Sequence, residues 1–139
     1  MGCWNYGIFD DDTAYDFEDE LKNDAKKFFT SSFNKAIKSE YLEFDNCHAV
    51  TVSAAYIDNL LNGTKYRTDN EERKDESNVN CFRLLHSDLD VSSLKGISVE
   101  ALEKVISDKS ELYELWSDND ELFLKWKSSI KELINRLKK

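Results

Sequence analysis

The chain has no proline and only four glycines in its 139 residues. Turns built on proline are therefore excluded, and helices joined by polar turns fit better than a strand-rich fold. So few glycines also leave no room for a phosphate-binding loop, a dinucleotide fingerprint or a G-x-S-x-G nucleophile turn, and none occurs. Cysteine is scarce as well. Cys3, Cys47 and Cys81 are odd in number and widely spaced, with no C-x-x-C pair of the kind that zinc or redox sites use. Three reduced thiols in a reducing compartment are the simplest expectation. No window approaches the roughly 18 apolar residues of a membrane span. A basic region followed by an apolar run is also missing at the start, so no secretory signal is expected and the location is read as cytoplasmic.

Positive charge is in deficit. Lysine and arginine number 19 against 28 acids, a net charge of −9. Nucleic-acid binding needs clustered cations to meet phosphates, so that class is set aside, and the balance favours a basic partner. The acids are unevenly placed: 10–20 holds seven acids and no base, whereas 122–139 holds six bases against Glu132 alone.

Aromatic residues are plentiful, with eight Phe, six Tyr and three Trp. A chain of this length reads as one domain, 1–139, able to bury about two-thirds of its extended surface. Asp10, Asp11 and Asp12 suit the N-cap of a first helix carrying Ala14, Phe17 and Leu21. Asn23 or Asp24 can cap a second, whose stripe runs Ala25, Phe28, Phe29, Ser32, Phe33, Ala36 and Ile37. A third is expected from Glu43 to Asn62, with Cys47, Val50, Ala54, Ile57, Leu60 and Leu61 on one face and Gly63 ending it. Residues 64–78 read as a solvated polar loop in which only Tyr66 suits burial. Val79 to Leu85 is expected to make one or two helical turns, with a short strand as the alternative. Further on, Ser98 is placed to cap a helix, with Ile97 and Leu102 as a hydrophobic staple, and Asp108–Glu111 and Asp118–Glu121 have capping-box spacing. The last helix carries Leu122, Phe123, Trp126, Ile130, Leu133, Ile134 and Leu137, with a lysine-rich outer side. The fold class is thus all-α, a single-domain bundle of about five to seven helices.

Candidate chemistry is thin. Asp10, Asp12 and Asp16 could hold a hard cation, and a metal-dependent hydrolase would use it to activate water. Asp12 and Asp16 have no His, Asn or Gly partner nearby to complete a site, and helix capping accounts for the three acids more simply. Asp88-Leu-Asp90 opens like a calcium loop but then has Ser93 and Val99 where glycine and glutamate are required. Cys47 and His48 are helix neighbours whose side chains diverge, so no nucleophile pair is expected. No metal, cofactor or catalytic residue is assigned, and the chain is read as not an enzyme. Trp116 and Trp126 read as core residues more readily than as interface anchors.

Gly2, Trp4, Gly7, Phe9, Asp10, Asp12, Ala14, Asp16 and Phe17 form one ordered pattern. Tyr41-Leu42-Glu43 follows, and then Ser110-Glu111-Leu112-Tyr113-Glu114-Leu115-Trp116 with an acidic turn and the helix around Trp126. In this order the motifs resemble a bacterial family of uncharacterised proteins, domain-of-unknown-function family 4259. Cys3, Asn5, Tyr6 and the polar 64–78 segment depart from it. The resemblance implies a bacterial, cytosolic, mainly helical domain, and it carries no active site to transfer.

A small acidic chain without catalytic motifs suits an immunity protein or antitoxin that covers the active site of a basic toxin, foremost a nuclease, whose site must be cationic to hold nucleic acid. The partner-binding acids expected on this reading are Asp69, Glu71, Glu72, Asp75, Glu76, Asp88 and Asp90. The alternative is a structural or regulatory interaction module.

Overall fold

The computed structural model describes residues 7–9, 16–68, 72, 74–75 and 78–138. Six α-helices are present among them: α1 Glu18–Lys38, α2 Phe44–Asn62, α3 Phe82–Leu85, α4 Lys95–Val105, α5 Glu111–Ser117 and α6 Asp120–Lys138. No strand occurs among the described residues, and the fold is an all-α bundle, as the periodicity predicts. The caps proposed at Asp10, Asp11 and Asp12, and the tucking of Trp4, lie outside the described residues.

The chain organises itself around α2. Every residue from Cys47 to Leu60 except Ala49 is buried. The expected one-sided stripe is therefore too narrow, because a helix surrounded by others loses its solvent face. Phe29 of α1, Tyr56 of α2 and Phe82 of α3 meet edge-on or tilted at centroid distances of 5.0 to 6.4 Å, and Phe9 joins Tyr56 at 6.1 Å. Such aromatic contacts add to the area they bury. On α6, Trp126, Ile130, Leu133, Ile134 and Leu137 turn inward as their spacing requires. Trp116 lies half-buried, stacked on Trp126.

The expected break between the first two helices appears as a kink within α1. Asp24 leaves helical geometry (φ −151°, ψ 84°), and its Oδ1 accepts from the Lys27 N–H at 3.1 Å, so it caps the stretch that follows. At the end of α2, Gly63 takes φ 74°, and its N–H donates to the Asn59 carbonyl at 2.8 Å. The Arg83 guanidinium occupies the space a β-carbon would need there. α2 has no basic residue in its last turn, so Arg83 brings to its negative end a cation that the helix itself lacks.

Three caps differ from expectation. Ser110, not Asp108, opens α5: its Oγ accepts from the Tyr113 N–H at 3.3 Å. A single parallel bridge explains the choice. Leu42 N–H donates to the Lys109 carbonyl and Glu111 N–H to the Leu42 carbonyl, both at 2.8 Å, which pins Ser110 at the start of α2. Glu111 then caps the other helix, its Oε1 accepting from Phe44 N–H at 2.9 Å. Asn119, not Asp118, opens α6, accepting from Leu122 N–H at 3.1 Å. Ser98 does not start α4 but lies inside it, donating to the Lys95 carbonyl at 2.7 Å. Burial of Val91 and Leu94 draws that helix start upstream, through a 3-10 turn at Ser92–Leu94.

Val79 to Leu85 forms a 3-10 turn, Val79–Cys81, running into α3, so the helical expectation holds over the strand. The expectation that only Tyr66 is suited to burial in 64–78 is corrected, because Thr68 and Asn78 are buried. Asn80 clamps the backbone of Tyr66 with two bonds of 2.7 Å, and Asn59 Nδ2 donates to the Thr64 carbonyl at 2.9 Å. Side-chain amides thus satisfy the backbone of a segment too polar to pack by itself.

Candidate partner-binding face

The acids expected to meet a partner divide into two groups. Asp69, Glu71 and Glu76 lie outside the described residues. Glu72 and Asp88 are exposed, Asp75 is half-buried and Asp90 is exposed. Asp75 and Asp90, fifteen positions apart in the chain, each lie within reach of a lysine of α1. Asp75 Oδ2 lies 3.6 Å from Lys22 Nζ, which also meets Glu18 Oε1 at 2.7 Å. Asp90 feels the charge of Lys26. Lys22 and Lys26 flank the kink at Asp24, so Asp75 meets α1 before the break, beside Glu18, and Asp90 feels the helix after it.

Each acid is held by local structure. Asp90 Oδ1 accepts from the Ser92 hydroxyl at 2.7 Å and the Ser92 N–H at 3.0 Å, starting the 3-10 turn. These two bonds hold its carboxyl below the usual range, the hydroxyl contributing most. Asp75 supplies the carbonyl that accepts from Asn78 N–H at 3.0 Å, which links the 64–78 segment to the turn before α3. Lys22 is held charged above its ordinary range, first by the Glu18 hydrogen bond and then by Asp75. The lysines offset part of the local negative charge and fix where the acids sit.

A second charged constellation, unforeseen from the sequence, lies in the core. Asp58 of α2 is fully buried, and its Oδ2 accepts from Arg136 Nε at 2.8 Å and from the Tyr66 hydroxyl at 2.7 Å. Its Oδ1 accepts from Asn62 Nδ2 at 2.7 Å. Burial, then the Asp58 charge, pushes the Tyr66 phenol far up, so it stays a neutral donor. Burial draws the Arg136 guanidinium down, but the bonds to Asp58 and Tyr66 outweigh it and the net shift is upward. This network joins α2, the polar segment and α6. Its signal in the sequence is that Asp58 is the one charged residue between Cys47 and Leu61.

Cys47 Sγ lies 3.2 Å from Ser110 Oγ, and burial raises its thiol, which disfavours the nucleophilic thiolate. His48 packs its ring on Phe44 at 4.5 Å. Cys47 and Cys81 are not disulfide-bonded. Among the described residues no three His, Cys, Asp or Glu side chains gather as a metal site, and Asp10 and Asp12 lie outside them. Nor is any helix among them long and apolar enough to cross a membrane. A groove of about 530 Å³ runs between α1 and the start of α2, opened by the kink at Asp24 and bordered by Phe17, Phe28, Lys27 and Asp45. Its charges are mixed, so it selects no ligand sign.

Sequence reading also missed the exposure of α3. Phe82 is fully buried, yet Leu84 and Leu85, next along the same short helix, face water.

A family model described as a domain of unknown function (DUF4259) matches residues 2–129, and the chain belongs to that family. No curated protein and no solved structure matches it.

Proposed function

We propose that this chain is a cytoplasmic inhibitor, an immunity protein or antitoxin that neutralises a basic bacterial toxin, foremost a nuclease, by covering its active site. The observation that supports this reading is the net charge of −9, with Glu72, Asp88 and Asp90 exposed and Asp75 half-buried beside Lys22 of α1. A nuclease site must attract phosphates, so it also attracts an acidic protein, and complementary charge accelerates the encounter. The inhibitor itself performs no chemistry on this reading. The Asp58–Arg136–Tyr66 network and the α2–α5 bridge hold the scaffold, so the acids meet the partner already positioned and little ordering cost remains.

Co-expression tests it. The toxin encoded beside this chain's gene should arrest growth alone and be tolerated with the chain present. Rescue should weaken when Glu72, Asp75, Asp88 and Asp90 are replaced together by lysine. Continued arrest in the presence of the unmodified chain, with every neighbouring toxin, would sink the reading.

A further inference from the structure

Acids outnumber bases 28 to 19 in this chain, yet three cationic residues line one small cavity. It lies between residues 7–8, residues 64–67 and α6, and its volume is about 260 Å³. Lys65, Arg67 and Arg136 border it, and Ser129 adds a hydroxyl. Ile8 and Leu133 form an apolar wall. Glu132 is the one acid among the lining residues, and it is exposed. Arg136 is held in place before any ligand arrives. Its Nε donates to Oδ2 of the fully buried Asp58 at 2.8 Å, and its Nη2 approaches the Tyr66 hydroxyl at 3.4 Å. Its Nη1 makes no hydrogen bond among the described residues, and its side chain is 34% exposed. One edge of the guanidinium is thus fixed to a carboxylate that cannot leave, and the rest of the fork remains available at the cavity. An arginine fixed in this way loses little freedom when its planar donors meet an oxyanion.

We propose that this cavity is a phosphate-binding site, taking a small phosphate dianion either free or as the head of a monoester. The sign follows from the lining, where three cations outweigh the one carboxylate and repel one another until an anion joins them. The geometry follows from the residue types, since arginine meets oxyanions with paired N–H donors and lysine adds a point charge. The size follows from the volume: about 260 Å³ lies below the roughly 300–1,000 Å³ of sites for drug-sized ligands, so a nucleotide is too large. The site is independent of the inhibitor reading and goes beyond it. A bound dianion joins α6 to the 64–67 segment, which Asp58 already ties to α6 through Tyr66 and Arg136. Occupancy therefore stabilises the folded chain by mass action.

The test is a nuclear magnetic resonance titration of the full chain with inorganic phosphate and, separately, with phenyl phosphate, at constant ionic strength. Saturable shifts are expected at the Arg136 Nε–H and at the amides of Lys65 and Arg67. The K65Q/R67Q pair removes two exposed cations and leaves the Asp58 network intact, and circular dichroism confirms that it is folded. Its affinity for phosphate should fall about tenfold or more, whereas K109Q/K125Q, which removes two exposed lysines elsewhere, should stay within about twofold of the unmodified chain. Tighter binding of phenyl phosphate than of inorganic phosphate supports a monoester whose organic part lies on Ile8 and Leu133. The reverse order supports the free ion. Shifts that never saturate, or that scatter over the surface, would overturn the site. So would an affinity unchanged in K65Q/R67Q, or an equal loss in K109Q/K125Q, since phosphate would then be answering charge in general. None of these outcomes alters the inhibitor reading, which rests on other residues.

Discussion

Asp58 and Asp90 are the same side chain placed in two media, one fully buried in α2 and the other on the surface beside Ser92. Asp58 has given up water and replaced it with Arg136, Tyr66 and Asn62. Removing one of those partners leaves a carboxylate with nowhere to go, so the contact is costly to break even though forming it stabilises little. Asp90 keeps its water and gains two short bonds to its own turn, so losing them returns it to a solvent that serves nearly as well. Burial, and not the number of hydrogen bonds, decides which acid the fold depends on. The same distinction separates the core network from the acidic face as a whole. The first resists change, and the second is free to be selected for a partner.

The sharpest break in that comparison is Arg136→Met. It should destabilise the chain by about 3 kcal/mol in urea unfolding, at the low end for a buried pair because Arg136 is itself partly exposed. Pairing it with Asp58→Leu should recover much of the loss, since no unpaired carboxylate remains. A double variant as unstable as Arg136→Met alone would show that the network is not the source of the effect. Gly63→Ala should follow, at about 1–2 kcal/mol by thermal unfolding, because a left-handed residue gains a β-carbon where the Arg83 guanidinium lies. Ser110→Ala should cost about 1 kcal/mol through loss of the α5 cap, measured in the same way.

The acidic face should answer weakly. Asp90→Asn should leave stability at neutral pH within about 0.5 kcal/mol. Its folded pKa is depressed, so the stability it contributes is complete above the unfolded value of roughly 3.9 and is lost as pH falls through the lower folded value. The variant should therefore differ from the parent only by a shallower acid limb in a pH series of unfolding. Tyr41→Phe should show the smallest effect. The Tyr41 hydroxyl donates to Glu114 Oε2 at 2.6 Å, and that bond pushes its pKa up to about 12. A raised folded value means stability complete below roughly 10 and lost as pH climbs through the folded value. Ultraviolet titration of the variant should lose the tyrosine that ionises near 12, while Tyr66, pushed up further, remains.

Much of the bundle was legible because apolar periodicity is a local signal. The α2 and α6 stripes follow from spacings of three and four, Gly63 from its place just past the last periodic residue, and the break at Asp24 from a capping side chain ahead of a new stripe. The caps at Asp108, Asp118 and Ser98 failed for a different reason. Capping preference is shared by many polar residues, and the one used depends on where the helix is held. Ser110 wins over Asp108 because Leu42, far away in the chain, fixes its backbone. Of the candidate face, the acidic composition was readable, but the approach of Asp75 to Lys22 and of Asp90 to Lys26 was not. Nor was the exposure of Leu84, since a short apolar run reads the same whether it points in or out.

Composition and spacing by themselves determined the helices, the negative charge and the family, because each is written in the identity and order of neighbouring residues. Tertiary structure alone decided which acid lies in the core, which cation closes α2 and which leucines remain in water. Those outcomes depend on what other segments bring to a site, and the burial that sets their energy exists only after the segments have met.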